Sequence, residues 1–460
     1  MYLNNLQKLI ILILITIFIG CKEENSTESF VKMPTVTTNL VTTITDSSAI
    51  ISCEIIDKGD SEISSKGICW GVNPLPTIAD NKIVSENNTD EFTCTITGLN
   101  KNTGYYARAF AINKAGTAYG SVVSFTTSEA QALYFGLDSI KIFTLLDLIA
   151  NKTFPEIDGL LIMKDDSLII EKYYNAYKRN NMHTMQSVTK SFTSALLGIA
   201  LDKGIINSVD NKILGYFTQY TNIQNMNDWK RAISIKNLIT MKTGVDYSEG
   251  YPNSPHDQLN ALRTGWDQFY LNRPMASEPG LWFNYDSGGV ILLSAIIKSA
   301  WGNHADVFAD QYLFPKLGIT SKQWIKNSEG HPHTGGGLYL RPIDMIKLGQ
   351  LYLNKGKYNG EQIISESWIT ESFKMKVDLS PVYVNDPYIR GYGYLWWIFK
   401  PGNKSKTNEY VYAAMGAMGQ YIFVIPEYKM VVAVTATTTT GENFQNPQRF
   451  LYDYILDAVK

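Results

Sequence analysis

The chain has 460 residues, which is enough for two or three domains that each bury a core. Charged residues make up 18% of it and the formal net charge is -2. This balance, with no basic cluster or nucleic-acid motif, argues against a nucleic-acid partner and is typical of soluble globular domains.

Residues 1–20 are predicted to be a lipoprotein signal peptide. Lys8 precedes an apolar run that ends at Ile19 and is interrupted only by Thr16. The run is too short to span a bilayer as a helix and fits the apolar region of a secretory signal. The alternative is a plain signal peptide in which the following cysteine is incidental.

Cys21 directly follows Ile19-Gly20, a sequence that resembles a bacterial lipobox. The resemblance implies that cleavage leaves Cys21 as a lipid-bearing N-terminus. The next residues, 22–24, resemble the acidic export tag of surface lipoproteins in some Gram-negative lineages. Residues 21–33 are polar and are predicted to be a disordered tether. We therefore expect a membrane-anchored lipoprotein of the outer membrane, cell surface or periplasm.

Residues 34–127 show an alternation of period two, which predicts short β-strands. Roughly seven strands separated by turn residues favour a β-sandwich. The run at residues 99–105 resembles the tyrosine-corner region of fibronectin type III domains, and a spacer role is favoured over a binding role. Cys53 and Cys94 are predicted to face inward on neighbouring strands, as a disulfide or as two free thiols.

From residue 133 to 460 the pattern predicts an α+β domain. Strands are expected at both ends of this segment, with a helical block between them that begins near Ser187 and ends near Lys374. The remaining predicted elements are a helix at 133–151, strands at 159–163, 168–173, 421–425 and 430–434, and a final helix at 447–459.

The helical block opens on Ser187-x-x-Lys190. A serine hydroxyl needs a base within hydrogen-bond reach before it can act as a nucleophile. Spacing of three residues on a helix places the lysine on the same face as the serine. A lysine serves as that base only if its pKa is lowered. Because the chain has no cysteine after Cys94, a cysteine nucleophile and a cysteine-ligated zinc site are excluded there.

Four segments together resemble the serine hydrolases related to class C β-lactamases and penicillin-binding proteins. The resemblance covers nearly all of residues 133–460, and the Ser-x-x-Lys box is a signature of such enzymes. The segments are residues 187–190, 279–289, 335–345 and 416–420.

The resemblance implies a role for each matching residue. Ser187 would be the acylated nucleophile and Lys190 its partner. Tyr285 would take the serine proton and return one to the leaving group, with a pKa lowered by the Lys190 ammonium. The backbone N–H groups of Ser187 and Ala417 would form the oxyanion hole. The substrate-binding positions would be Ser287, Gly416 and Gly419.

Two departures from the family pattern bear on the substrate. Ser287 replaces the asparagine of the Tyr-x-Asn motif, and Ala414-Met415-Gly416 replaces the Lys/His-Thr-Gly tripeptide. Both changes argue against efficient penicillin chemistry and favour a small ester or amide, as in the family's esterases and aminohexanoate-oligomer hydrolases. Lys242-Thr243-Gly244 spells the tripeptide elsewhere and is predicted to be structural.

The sequence therefore predicts a serine hydrolase acting by acyl transfer through Ser187, without metal or cofactor. Its partners would be a small ester, amide or peptide substrate and, through the N-terminal lipid, a membrane. The alternatives are a true β-lactamase or D-alanyl-D-alanine carboxypeptidase, and a non-catalytic surface binding protein that retains the fold. His331 and His333 could suggest a metal, but no further ligands complete a site.

Overall fold

The computed structural model describes residues 31–44, 47–87, 89–127, 133–134, 136–439 and 441–460. The predicted signal peptide, Cys21 and most of the predicted tether lie outside the described residues. The chain divides into two compact units, Met1–Tyr134 and Phe135–Lys460.

The first unit is built from antiparallel strands. One sheet has the order β1-β2-β5, and the other has the order β4-β3-β6-β7 with β8 paired to β6. The strands are β1 (Thr35–Ile44), β2 (Ser48–Asp57), β3 (Ser65–Gly71), β4 (Asn81–Val84), β5 (Glu91–Thr97), β6 (Gly104–Asn113), β7 (Gly116–Tyr119) and β8 (Val123–Thr126).

The core of this unit follows the predicted alternation. β5 alternates buried and exposed positions along its length, and it pairs with β2. Cys53 and Cys94 lie on these two neighbouring strands, and both are buried free thiols, as is Cys69. β7 and β8 both pair antiparallel with β6 and run in the same direction, so they continue one line of pairing that is interrupted at residues 120–122.

The second unit contains the remaining strands. They are β9 (Leu133–Tyr134), β10 (Leu137–Asp138), β11 (Ile157–Lys164), β12 (Ser167–Tyr173), β13 (His183–Thr184), β14 (Lys322–Trp324), β15 (Leu338–Leu340), β16 (Lys357–Tyr358), β17 (Glu361–Gln362), β18 (Val377–Asp378), β19 (Ile389–Tyr392), β20 (Trp397–Phe399), β21 (Val411–Gly416), β22 (Gln420–Ile425) and β23 (Met430–Ala436).

Its helices surround the sheets. They are α1 (Ser139–Ala150), α2 (Thr189–Asp202), α3 (Asp228–Ala232), α4 (Ile235–Ile239), α5 (Pro255–Ala261), α6 (Trp266–Leu271), α7 (Ser287–Trp301), α8 (Ala305–Tyr312), α9 (Pro342–Leu353), α10 (Glu366–Phe373) and α11 (Asn446–Phe450).

An eight-stranded antiparallel sheet forms the centre of this unit, in the order β12-β11-β23-β22-β21-β20-β19-β18. Strands from both ends of the segment meet where β11 pairs with β23, so the predicted arrangement is confirmed. α9 packs on β11, β22 and β23. α2 and α7 contact each other, and nearly every residue of α2 is buried. A fully buried helix is a rigid base for the functional groups at its N-terminus.

Two predicted helices have different bounds in the structure. The first begins only at Ser139, because Asp138 caps it by accepting hydrogen bonds from the N–H groups of Ile140 and Lys141. The last consists of α11 followed by a π-helical turn at Leu451–Ile455. Within the described residues, no helix combines the length and the hydropathy that a bilayer crossing requires.

Candidate active site

Ser187 lies in a single 3-10 turn, Gln186–Val188, that runs directly into α2. Gln186 has a φ of 46°, in the left-handed region that residues with a side chain seldom adopt. Such backbone strain is concentrated at functional sites, where the surrounding structure holds it in place. Here the N–H of Met185 donates to the carbonyl of Leu338 over 2.8 Å, which ties the turn to β15. The turn therefore presents a half-buried Ser187 at the N-terminal end of a buried helix.

Lys190 is one turn further along and is fully buried. Its Nζ donates to Ser187 Oγ over 2.7 Å and to the carbonyl of Gly335 over 2.6 Å. Burial lowers the pKa of Lys190 to about 8, and the negative charges of Glu249 and Asp286 oppose that shift. The residue pair thus has the geometry and the proton affinity that serine activation requires.

Tyr285 completes the cluster from the loop before α7. Its ring stacks on Trp397 with the centroids 5.5 Å apart, and Lys190 Nζ lies 4.8 Å from its ring centroid. Its neighbour Asn284 fixes the loop by donating from its N–H to the Met241 carbonyl over 2.8 Å. Tyr285 also shares a hydrogen bond with Ser187. Ser187, Lys190 and Tyr285, predicted from two separate motifs, therefore lie together.

The pKa of Tyr285 is raised rather than lowered, contrary to the expectation from sequence. Burial of its hydroxyl is the largest cause, and the charge of Glu249 adds to it. The hydrogen bond with Ser187 acts in the opposite direction but is outweighed. Tyr285 is therefore a neutral phenol in the resting site, and Lys190 is the group closer to losing its proton near neutral pH.

Asp286 anchors the start of α7 beneath Tyr285. Its Oδ1 accepts from the N–H of Gly289 over 2.8 Å, which is a helix N-cap. Its Oδ2 accepts from Thr243 Oγ1 over 3.1 Å and from the hydroxyl of Tyr270. Burial raises the pKa of Asp286 to about 6. Thr243 belongs to the Lys242-Thr243-Gly244 tripeptide, and its contacts agree with the predicted structural role.

Ser287 is the first residue of α7 and is buried. Both of its polar groups bind Glu249: the N–H donates to Oε1 over 2.5 Å and the hydroxyl donates to Oε2 over 3.0 Å. Sequence analysis assigned Ser287 to substrate binding. The structure instead places a carboxylate, on a loop 38 residues upstream, against this position.

The end of β21 forms the wall on the other side of Ser187. A Cβ added at Gly416 would lie 2.6 Å from the Met185 carbonyl and 3.0 Å from the Ser187 nitrogen, so only glycine allows this close approach. Ala417 follows and is exposed. Gly419 is placed differently: its φ is 88°, and an added Cβ would meet Ala436 Cβ at 2.9 Å. Gly416 and Ala417 therefore adjoin the nucleophile, whereas Gly419 shapes the turn behind them.

The loop that carries Gly335 is anchored from two sides. Thr334 Oγ1 donates to the Val290 carbonyl of α7 over 2.8 Å, and Gly335 accepts from Lys190. His333 is buried, its Nε2 bonds Asn260 Oδ1 over 3.0 Å, and burial lowers its pKa to about 3. Within the described residues, no three His, Cys, Asp or Glu side chains are grouped to hold a metal ion.

Sequence reasoning missed Glu249 and His256, considered His333 only as a possible metal ligand, and did not assign Trp397 as the support of Tyr285. His256 Nδ1 bonds the Tyr247 hydroxyl over 2.9 Å, and its Nε2 bonds the amide of Asn260. These residues come from separate elements, since Trp397 begins β20, His256 is in α5 and Glu249 is on a loop, and they carry no motif. Glycine and proline near Glu249 mark a loop, but its spacing from Ser287 gives no signal of their contact.

The chain is similar in sequence and in fold to known proteins. A family model described as Beta-lactamase matches residues 153–454. The curated 6-aminohexanoate-dimer hydrolase of Paenarthrobacter ureafaciens is 21% identical over 224 residues. That alignment covers 46% of this chain and 56% of that enzyme, so the chain spans about half the length of this relative.

Two solved structures are similar in fold. The first is a Bacillus anthracis protein provisionally named a 6-aminohexanoate-dimer hydrolase, with a TM-score of 0.57, 21% identity, and coverage of 68% of this chain and 81% of that one. The second is EstCE1, described as a hydrolase with promiscuous acyltransferase activity, with a TM-score of 0.57, 15% identity, and coverage of 70% and 98%. At these identities the likeness shows the fold alone.

Proposed function

The chain belongs to the beta-lactamase family, whose model matches residues 153–454, and on that premise we propose that it is a serine hydrolase that acts through an acyl-Ser187 intermediate. The observation that carries the proposal is the hydrogen bond of 2.7 Å between Lys190 Nζ and Ser187 Oγ, made by a buried lysine whose pKa is lowered to about 8. Burial disfavours the charged form of a lysine. A base for the Ser187 hydroxyl requires the lowered pKa that results.

In the acylation step, neutral Lys190 accepts the proton of Ser187 as Oγ attacks the substrate carbonyl carbon. The N–H groups of Ser187 and Ala417 stabilise the oxyanion that forms, and a preorganised donor of this kind accelerates such reactions by about 10²–10³-fold. The phenol of Tyr285 then gives its proton to the leaving oxygen or nitrogen as the carbonyl bond breaks. Lys190 returns the serine proton to Tyr285, so the net proton transfer runs from Ser187 to the leaving group.

In the deacylation step, water replaces the leaving group and the same residues act in reverse. Neutral Lys190, through Tyr285, accepts a proton from the attacking water, and Ser187 Oγ regains a proton as the acid product leaves. This assignment makes Lys190 the base and Tyr285 the acid of acylation. It differs from the roles predicted from sequence because burial raises the pKa of Tyr285 and lowers that of Lys190.

We propose a small ester or amide as the substrate. Ala414 is fully buried and Met415 partly buried, so the end of β21 offers no cation or hydroxyl for a substrate carboxylate at these two positions. Ser287 is occupied by Glu249. The name of the curated relative, a 6-aminohexanoate-dimer hydrolase, supports the same class.

Labelling with a fluorophosphonate probe tests the proposal. The wild-type chain should be labelled at Ser187 and should hydrolyse p-nitrophenyl acetate. Ser187→Ala should lose labelling and about three or more decades of kcat, the loss typical of removing a nucleophile. Ser194→Ala is the matched control, because Ser194 lies on the same helix but donates its hydroxyl to the Tyr394 carbonyl over 2.8 Å. Equal activity of wild type and Ser187→Ala would reject the proposal.

For the first unit we propose a fibronectin type III-like spacer. The strand order supports this, and the Tyr105 hydroxyl accepts a hydrogen bond of 2.9 Å from the N–H of Asn100, which is the contact of a tyrosine corner. A truncated chain that begins at residue 128 and is shown to fold should keep its activity on esters if residues 34–127 are only a spacer.

We further propose that Cys21 carries the lipid anchor of an exported protein. The lipobox-like sequence before it supports the proposal. Mass spectrometry of the membrane fraction should find a mature chain that begins at a diacylated Cys21, and Cys21→Ser should shift the protein to the soluble fraction. A mature chain that retains Met1 would contradict it.

A further inference from the structure

The aromatic cluster behind Tyr285 is also where the most exposed apolar side chains of the catalytic unit are found. Trp397 is buried at its centre, stacked on Tyr285. Phe283 and Tyr383 pack edge-on against Trp397, at centroid distances of 6.2 and 5.9 Å. Two segments, 279–285 and 380–387, therefore meet beside the catalytic tyrosine.

Each segment directs one aromatic ring inward and the neighbouring apolar side chains outward. We name the outward side chains the apolar rim: Leu281, Trp282, Val382 and Val384, which are 56%, 71%, 61% and 73% exposed. Six large apolar side chains in the described part of the catalytic unit are more than half exposed, and the other two are Ile140 and Tyr251. Four of six on two short segments is a concentration that single exposed residues do not explain.

The rim is displayed by ordered backbone rather than by fraying ends. The N–H of Gly280 donates to the Lys242 carbonyl over 2.8 Å. The N–H groups of Val382 and Tyr383 both donate to the Leu379 carbonyl over 2.9 Å. Residues 279–285 contain no charged side chain, and residues 380–387 contain one, Asp386, whose Oδ1 accepts from the N–H groups of Tyr388 and Ile389 over 2.8 Å. The result is an apolar surface on ordered backbone, carried by the same two segments whose inward rings contact Trp397.

We propose that the apolar rim is the binding subsite for an extended apolar group of the substrate, an aliphatic or aromatic acyl chain longer than acetyl. This inference rests on the proposed serine hydrolase function and narrows its substrate class. The position decides the occupant: the rim side chains belong to the two segments whose inward rings, Phe283 and Tyr383, contact Trp397, and Trp397 stacks on Tyr285. An extended apolar group that packs on the rim can reach back along these rings, so its binding energy can align a carbonyl carbon with Ser187. A polar or charged acyl group would gain nothing from this surface.

The test measures kcat/KM of the purified full-length protein for p-nitrophenyl esters of increasing acyl length, from acetate to octanoate. Burying a methylene group is worth a factor of about two to four in kcat/KM, depending on how fully it is covered. For the wild type, kcat/KM for the octanoate ester should therefore exceed kcat/KM for the acetate ester by at least about tenfold. The double variant Trp282→Ser with Val384→Ser should lower that ratio by at least about tenfold. Val384→Ser alone is used if the double variant does not fold.

Ile140→Ser is the matched control, because Ile140 on α1 is 70% exposed and should leave the ratio unchanged. A wild-type ratio near one, or the same ratio in the rim variants, overturns the inference while leaving the serine hydrolase proposal intact if acetate is hydrolysed. Absence of acetate hydrolysis and of Ser187 labelling is failure of the proposed function itself. If the rim variants instead lose binding to phosphatidylglycerol vesicles and keep the octanoate ratio, the rim is a membrane contact and the inference is wrong.

Discussion

Replacing Glu249 by glutamine should move the ascending limb of the pH profile of kcat/KM to lower pH. This limb reports the ionisation of the essential base in the free enzyme, which we assign to Lys190. Burial lowers the pKa of Lys190 from 10.5 to about 8, so at pH 7 about one molecule in ten has the neutral amine. A lysine of ordinary pKa would have about one in 3,000, so the fold supplies roughly two and a half decades of active base.

The direction of the change follows from the charge of Glu249. Its carboxylate favours the ammonium form of Lys190 and is the larger of the two charges that oppose the lowering of the pKa. Removing it lowers the Lys190 pKa further, by about one unit or less for a charge beyond direct contact. The fraction of Lys190 that is neutral at pH 7 should then rise by up to about fivefold. The ascending limb should shift to lower pH by the same amount as the Lys190 pKa.

The assay is kcat/KM for p-nitrophenyl acetate between pH 5.5 and 9.5, corrected for spontaneous hydrolysis. Wild type should show a limb near pH 8. Glu278→Gln is the control, because Glu278 is exposed on the neighbouring loop and its loss should leave the limb in place. A wild-type limb well below pH 7, or a Glu249→Gln limb that shifts to higher pH, would refute the assignment of Lys190 as the base.

Four further outcomes are expected. Asp286→Ala should lower the free energy of unfolding, measured by urea titration, by about 2–4 kcal/mol, because it removes a helix cap and the hydrogen-bond acceptor of the Tyr270 and Thr243 hydroxyls. Asp286→Asn should lower it by less. Because the folded-state pKa of Asp286 is raised to about 6, wild type should lose stability relative to Asp286→Asn as pH rises from about 4 through 6, and a constant difference would contradict this. For a short p-nitrophenyl ester, kcat/KM should exceed kcat/KM for nitrocefin by at least about two decades, because each missing charge-assisted contact at Ala414 and Met415 costs about one to two decades. Comparable turnover of nitrocefin would restore the β-lactamase alternative. Deleting residues 34–127 should change kcat/KM for a soluble ester by less than about twofold, and a large fall in a folded variant would show that the first unit contributes to the site.

Local spacing explains how much of this site the sequence could predict. Ser187 and Lys190 are three residues apart at the start of a helix, so their contact is fixed by helix geometry alone. The predicted strands near both ends of the second unit also follow from short-range patterns of apolar residues. Glu249 is different, because its contact with Ser287 depends on the path of a loop. No sequence pattern around either residue predicts that contact. Of the eight strands in the central sheet, the sequence predicts only β11, β12, β22 and β23, and it does not predict their order.

Tyr285 shows why even a correctly placed residue can be assigned the wrong proton state. Sequence reasoning considered one neighbour, the Lys190 ammonium, and a cation near a phenol lowers its pKa. In the fold, enclosure of the hydroxyl and the carboxylate of Glu249 both favour the neutral phenol, and neither is visible in the Tyr-x-Ser motif. The same burial acts on Lys190 with the opposite sign, because its charged form is the protonated one. One desolvated pocket therefore prepares a neutral acid and a base of lowered pKa on either side of Ser187, which is the pair of proton states that acyl transfer needs.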